Sequence, residues 1–391
     1  MKKQIYLDNA ATTKIRPEAL AEYVRVSENL WGNPSSLHSL GSDAEQVLTA
    51  SKQTILYTMG AKDSEIVFTA SGTEANNLAI MGRALSKERY KRGAKIITTL
   101  GEHASVSEPL RELQKMGYKV VELSTQGGRI DMNELMRELT PDVILVSVMM
   151  VNNETGAVYN IPAVARAMKS KCPDAILHVD ATQGYMKIPF TKAGIGADLI
   201  TVSSHKIEGP KGVGALVIGA DVLKKKGISP VVFGGGQGLG LRSGTENVPC
   251  VAAFAEAARL AHSELTERIE KMNSLRERLI AKITDDERLR ELSLTLPENH
   301  APHILNITLP SIKSETMLHY LSSEGIFVSS GSACSSNGGH LSSALTAYGR
   351  TKDEADTSIR ISLSPSNTED DVNSLIEALA TGLVRLARIK R

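Results

Sequence analysis

From about residue 60 to residue 220 the chain alternates short, β-branched apolar runs with longer polar stretches suited to helix. The runs are Ile66–Thr69, Lys95–Thr99, Lys119–Leu123, Val143–Ser147, Ile176–Asp180, Leu199–Ser203 and Gly214–Ile218. Near-continuous apolar runs belong to strands buried on both faces, and strands joined through helices run parallel. The pattern predicts an α/β fold with a mostly parallel, seven-stranded sheet covered on both sides. In such sheets ligands bind just beyond the carboxyl ends of the strands. Functional residues are therefore expected at those ends.

The pattern changes after Val251. Residues up to Thr284 read as one long helical stretch, free of Gly and Pro. Ile304–Thr308, a helix from Ser314 to Glu324, Phe327–Ser329, Ile359–Leu363 and a helix from Glu369 to Lys390 then describe a smaller α+β unit. The N-terminal run Ile5–Leu7 is placed with it. The expected division is a large domain at 15–255, with 1–14 and 256–391 forming the small one. A chain of 391 residues suffices for two such cores.

Charge and cysteine usage narrow the function. Lys+Arg 45 against Asp+Glu 44 leaves a net charge of +1, so there is no electrostatic footprint for nucleic acid. The apolar stretch Val143–Val151 is too short to cross a bilayer, and Asp8 and Asn9 fall where a secretory leader needs apolar residues. The 3 cysteines lack the paired spacing of a disulfide framework or zinc site. A cytoplasmic enzyme without metal is the expectation.

Two strand ends carry the most specific signal. Asp180 closes Ile176–Asp180, and Lys206 follows the next run in Ser203-Ser204-His205-Lys206. This pair suits pyridoxal phosphate: a lysine can hold the cofactor as a Schiff base, while a carboxylate keeps the pyridine nitrogen protonated. In Ser71-Gly72-Thr73-Glu74, small residues open a helix whose N-terminus can receive a phosphate, although an ordinary N-cap accounts for the same residues. His103 follows a strand end, where an imidazole can stack on a flat ring and carry protons, or be purely structural. His178, two residues before Asp180, reads as a core group. Asn152, Asn153 and Gln183 offer amides to a phenolate oxygen, with turn formation as the alternative for the two asparagines. The loop Gly234–Gly240 misses the spacing of a dinucleotide fingerprint. Among the cysteines, Cys334 stands apart in a polar run of glycine and serine, where a thiol is available to react. Cys172 and Cys250 have contexts that suggest packing.

Together these residues resemble the pyridoxal-phosphate-dependent cysteine desulfurases of the iron–sulfur-cluster-assembly and nitrogen-fixation type. The resemblance runs nearly end to end. It includes Tyr6–Thr13, Asn33-Pro34-Ser35-Ser36-x-His38, Ser71–Glu74, Glu102-His103, Val151–Glu154, His178–Gln183, Ser204–Lys206, Gly209–Gly212, Arg242–Thr245, Gly331–Cys334 and Ile359-Arg360. It implies fold type I of the pyridoxal phosphate enzymes and a homodimer with active sites at the subunit interface. It implies Lys206 as the Schiff-base lysine, Asp180 at the pyridine nitrogen, and Asn153 and Gln183 at the 3-hydroxyl. His103 would stack over the ring. Gly72, Thr73, Ser203 and His205 would hold the phosphate, with Thr245 reaching in from the second subunit. Arg360 and Asn33 would bind the substrate, L-cysteine, and Cys334 would receive its sulfur as a persulfide. An acceptor protein, either an iron–sulfur scaffold or a tRNA-thiolation enzyme, would then take the sulfur. The chain departs from the family at Gly238, often a charged residue, and at Ser335–His340, which lacks a common Leu-Glu-Pro stretch. A selenocysteine lyase or related eliminase is the nearest rival and would not need Cys334. An aminotransferase has no use for that thiol, and a sulfur-relay partner without catalysis would not need Lys206 and Asp180 intact.

Overall fold

The computed structural model describes residues 3–87, 93–330 and 342–389. After a short strand, β1 (Ile5–Tyr6), the seven expected runs all form strands. They are β2 (Ser64–Thr69), β3 (Lys95–Thr99), β4 (Lys119–Leu123), β5 (Val143–Met149), β6 (Ile176–Asp180), β7 (Leu199–Ser203) and β8 (Gly214–Gly219). One sheet results, in the order β2-β8-β7-β6-β5-β3-β4. Only β8 runs against its neighbours, β2 and β7; the other pairings are parallel.

Successive side chains on a strand point to opposite faces, and here both faces are dry. Leu177, Val179, Ile200 and Val202 enter one core, whereas Ile176, Leu199, Leu216 and Ile218 enter the other. Every residue of β5, β6 and β7 is buried. From β3 the chain steps outward to β4 and returns on the other side of β3 as β5. Loops leaving the strand ends in opposite directions part there and leave a crevice. The pairings Met149↔Asp180 and Asp180↔Thr201 bring the ends of β5, β6 and β7 level beside it.

A second sheet is antiparallel, in the order β12-β13-β10-β9. Its strands are β9 (Ser293–Thr295), β10 (Ile304–Thr308), β12 (Ser329–Ser330) and β13 (Ser358–Ser362), while β11 (Ile326–Phe327) pairs with β1 instead. Ile5, Leu7, Leu305, Ile307, Ile359, Ile361, Leu375 and Leu379 share its core. Because Ile359 and Ile361 face that core, Arg360 faces the opposite side, toward the crevice.

Two expectations need correction. The run Phe327–Ser329 is divided between β11 and β12, in different sheets. The long helix is two helices, Val248–Ser263 and Leu265–Asp285. Between them Glu264 leaves helical geometry (φ −99°, ψ 4°), and its carboxylate meets Arg16 at 3.1 Å and Arg268 at 3.3 Å. Neither Gly nor Pro marks the break, and one of the groups that meet Glu264 there, Arg16, comes from just before the helix Pro17–Asn29. Among the described residues no helix is long and apolar enough to cross a membrane.

Candidate active site

A cavity of about 260 Å³ opens at the carboxyl ends of the central strands. Gly72, Thr73, His103, Asn153, Asp180, Gln183, Ser203, His205, Lys206 and Arg360 all line it. Asn33 and Thr245 do not: both are exposed, and Asn33 Oδ1 instead accepts the Ser35 N–H at 2.9 Å. Cys334 lies outside the described residues.

Asp180 forms the floor. Its Oδ1 accepts the Thr182 N–H at 2.9 Å, and its Oδ2 accepts from Asn76 Nδ2 at 2.8 Å. Asn76 was not singled out from the sequence. The available signal was an amide beside Ala75, Leu78 and Ala79 on the inward side of the helix Gly72–Ala84. His103 caps the helix Ala104–Lys115, its Nδ1 accepting the Ser105 N–H at 3.1 Å. Burial pushes the His103 pKa down and Lys206 pushes the same way, against the pull of Asp180. Glu102 beside it is buried, and its Oε1 accepts from Thr99 Oγ1 (2.6 Å) and from the Met149 N–H (2.9 Å). It thereby ties the end of β3 to the end of β5. Burial lifts its carboxyl to about 8, the Asp180 charge adding to the rise. His178 behind Asp180 lies between Ser147 Oγ (2.8 Å) and Thr201 Oγ1 (3.0 Å), and burial lowers it to about 4.

The opposite wall rests on the N-terminal segment. Lys206 Nζ donates to the carbonyls of Ala10 (2.6 Å) and Ala11 (2.7 Å). Gln183 Nε2 donates to the same Ala10 carbonyl at 2.8 Å, so one of the two N–H groups of this amide is committed to backbone and the other is left for a 3-hydroxyl. Arg360 donates through Nη1 to the Asn153 carbonyl (2.9 Å) and through Nη2 to Asp8 Oδ1 (2.8 Å), and its buried Nε has no hydrogen-bond partner among the described residues. His205 Nδ1 lies 3.1 Å from Thr12 Oγ1; burial and the neighbouring Lys206 and Lys211 push its pKa down to about 4, which leaves it neutral. Asn152 belongs to the turn rather than the pocket. Its Oδ1 accepts from the N–H groups of Glu154 and Thr155, and its Nδ2 donates to the Gly101 carbonyl.

The third wall is the start of the helix Gly72–Ala84. Ser71 caps it by accepting the Glu74 N–H at 3.2 Å. Glu74 in turn accepts from the Ala70 N–H and pairs with Arg242 at 2.6 Å. Remaining first-turn N–H groups have no helical acceptor and face an anion favourably. Ser203 Oγ is buried beside them without a partner among the described residues. A Cβ on Gly72 would lie 3.3 Å from both Ser203 Cβ and Thr182 Oγ1, so a side chain there would crowd the cradle. An unpaired hydroxyl, an open helix N-terminus, a carboxylate floor and a lysine fit pyridoxal phosphate.

Residues 5–375 match the aminotransferase class-V family. The chain is 36% identical to the cysteine desulfurase IscS of Dictyoglomus turgidum, covering 100% of this chain and 97% of the relative. Its fold superimposes on a solved NifS-like protein with a TM-score of 0.90 at 33% identity, covering 98% of this chain and 100% of the other. A structure of SspA in complex with cysteine gives a TM-score of 0.78 at 28% identity, covering 94% and 100%. The chain belongs to the class-V aminotransferase family, whose members carry pyridoxal phosphate on this fold. Within that family it is one of the cysteine desulfurases of the NifS/IscS type.

Proposed function

We propose that the pocket converts L-cysteine to L-alanine and passes the sulfur to Cys334 as a persulfide. The observation that carries this reading is the convergence of Lys206, Asp180, His103 and Arg360 on one cavity, in a chain whose relatives are named cysteine desulfurases. When bound, pyridoxal phosphate supplies an electron sink that eases loss of a proton from the carbon bearing the amine. Gly72, Thr73, Ser203 and His205 hold its phosphate, Asp180 its ring nitrogen, and Asn153 with the free N–H of Gln183 its 3-hydroxyl. Arg360 takes the substrate carboxylate in its planar fork, oriented by Asp8 and the Asn153 carbonyl. Lys206, once released, removes the α-proton. The Cys334 thiolate forms a bond to the substrate sulfur as the carbon–sulfur bond breaks. One cysteine and one thiol become one alanine and one persulfide, with no outside oxidant or reductant.

The working enzyme is a homodimer in the cytoplasm. Thr245 and Asn33 stand outside their own chain's pocket, in segments that expose Phe233 (80%) and Trp31 (67%), which suits burial against a second copy. Cys172 and Cys250 are free and buried, as a reducing compartment allows. The persulfide goes on to a sulfur-acceptor protein that serves iron–sulfur clusters or tRNA thiolation.

The test is Cys334→Ser. It keeps the cofactor spectrum and forms no persulfide, because serine is a poor nucleophile towards sulfur. Wild-type enzyme is incubated with L-cysteine without reductant, alkylated and mapped by mass spectrometry. Added sulfur on Cys172 or Cys250, or undiminished sulfide release by Cys334→Ser, would overturn the assignment.

A further inference from the structure

The floor and one wall of the pocket share a run of four polar side chains, two of which, Asn76 and Ser105, the proposed reaction leaves unused. Asn76 is 1% exposed, and its Nδ2 lies 2.8 Å from Asp180 Oδ2 and 2.8 Å from Ser105 Oγ. Ser105 Oγ lies 2.8 Å from His103 Nδ1, which also faces the Ser105 backbone N–H at 3.1 Å.

Donor and acceptor chemistry sets the direction of each bond. The Asp180 carboxylate already accepts from the Thr182 N–H and offers only lone pairs, so the amide atom turned toward it is nitrogen. An amide nitrogen only donates, so Ser105 Oγ accepts from Asn76. The serine proton then has one acceptor among the described residues, His103 Nδ1. A ring nitrogen facing both that hydroxyl and a backbone N–H presents its lone pair. The hydrogen of the neutral ring therefore sits on Nε2, which takes part in no hydrogen bond among the described residues.

We infer that Asn76 and Ser105 are positioning residues that lock His103 in its Nε2–H tautomer and tie its orientation to Asp180. The lock changes what His103 can do. A further proton would have to enter at Nδ1, against two donors, so the ring stays neutral and offers Nε2–H as a hydrogen-bond donor rather than shuttling protons. The charged groups acting on the ring are Lys206, which also disfavours the imidazolium, and Asp180, which favours it. That the donor faces substrate rests on the function proposed above; the lock itself does not.

The experiment uses full-length holoenzyme labelled with ¹⁵N-histidine, with His103→Gln to assign the signal. Long-range proton–nitrogen correlation reads the tautomer directly, without turnover. Wild type should show Nε2–H throughout the neutral range. Ser105→Ala removes the hydroxyl donor and keeps the backbone N–H, so ring protonation should move up by about one pH unit, the worth of one hydrogen bond. Ser105→Thr should restore the wild-type signal. Asn76→Ala should shift the His103 signal although Asn76 bonds to Ser105 and Asp180 rather than to the ring. An Nδ1–H signal in wild type, or unmoved ring protonation in Ser105→Ala, would overturn the inference. Ser105→Ala decides the matter by itself if Asn76→Ala fails to fold. A wild-type enzyme that shows the lock but makes no alanine from cysteine would overturn the proposed function and leave the lock standing.

Discussion

On the inner side of the pocket, polar side chains hydrogen-bond one another; on the outer side, they hold backbone carbonyls. Asp180, Asn76, Ser105 and His103 form the inner group, all from elements of the seven-stranded sheet and its helices. Lys206, Gln183 and Arg360 form the outer group, bonded to the carbonyls of Ala10, Ala11 and Asn153 and to Asp8. The inner side chains are short and already bonded to one another without any ligand, with Asn76 Oδ1 left open among the described residues, so that wall is preorganised. The outer contacts are made mostly by long side chains whose partners a ligand can replace. A hydrogen bond to a charged group is worth about 1.5–3 kcal/mol net, so exchanging one acceptor for another costs little. The inner wall fixes geometry, and the outer wall trades partners.

The largest effect should come from the outer wall. Lys206→Ala removes the side chain proposed both to hold the cofactor and to move the α-proton, and turnover should fall roughly 10⁴-fold or more. Borohydride reduction of wild type followed by peptide mapping should find the cofactor on Lys206; finding it on another lysine breaks the comparison. Next is Arg360→Lys, which keeps the charge and loses the fork. The Michaelis constant for cysteine should rise about 10- to 100-fold with cofactor content unchanged. An unmoved constant would remove Arg360 from the substrate site.

Gly72→Ala probes the cradle. The added methyl meets Ser203 and Thr182 at 3.3 Å, so cofactor affinity should fall roughly tenfold, about 1.4 kcal/mol, with circular dichroism unchanged. Affinity equal to wild type in a titration of the cofactor-free protein would move the phosphate elsewhere.

Glu102→Gln should have the smallest effect, and it is read as stability. Burial holds the folded carboxyl near pKa 8, while the unfolded one titrates near its ordinary value of 4.5. Between these values the folded state binds more protons, so this contribution is full below about 4.5 and is lost as pH rises through about 8. Glutamine mimics the protonated acid at Oε1. Glu102→Gln should therefore match wild type at pH 4.5 and melt a few degrees higher at pH 8–9. A constant difference in melting temperature across that range would mean that Glu102 does not titrate as described.

Much of this was written locally. The seven strands were legible because burial on both faces requires unbroken apolar runs, and Asp180 and Lys206 were legible because they stand at the ends of two of them. Ser71 announced its helix, and Cys334 stood out by the poverty of apolar residues around it. Other features had no local mark. The break at Glu264 depends partly on Arg16, and the environment of Lys206 depends on carbonyls nearly two hundred residues earlier. Neighbouring asparagines diverged, Asn152 into a turn and Asn153 into the pocket, while Asn76 took the place beside Asp180. Thus the sequence by itself determined the strands of the large sheet, the class of that sheet and the chemistry available at the strand ends, because burial periodicity repeats along the chain. Only the tertiary structure decided which polar group meets which, because a hydrogen bond has no periodicity and its partner is whatever segment the fold brings within 3 Å.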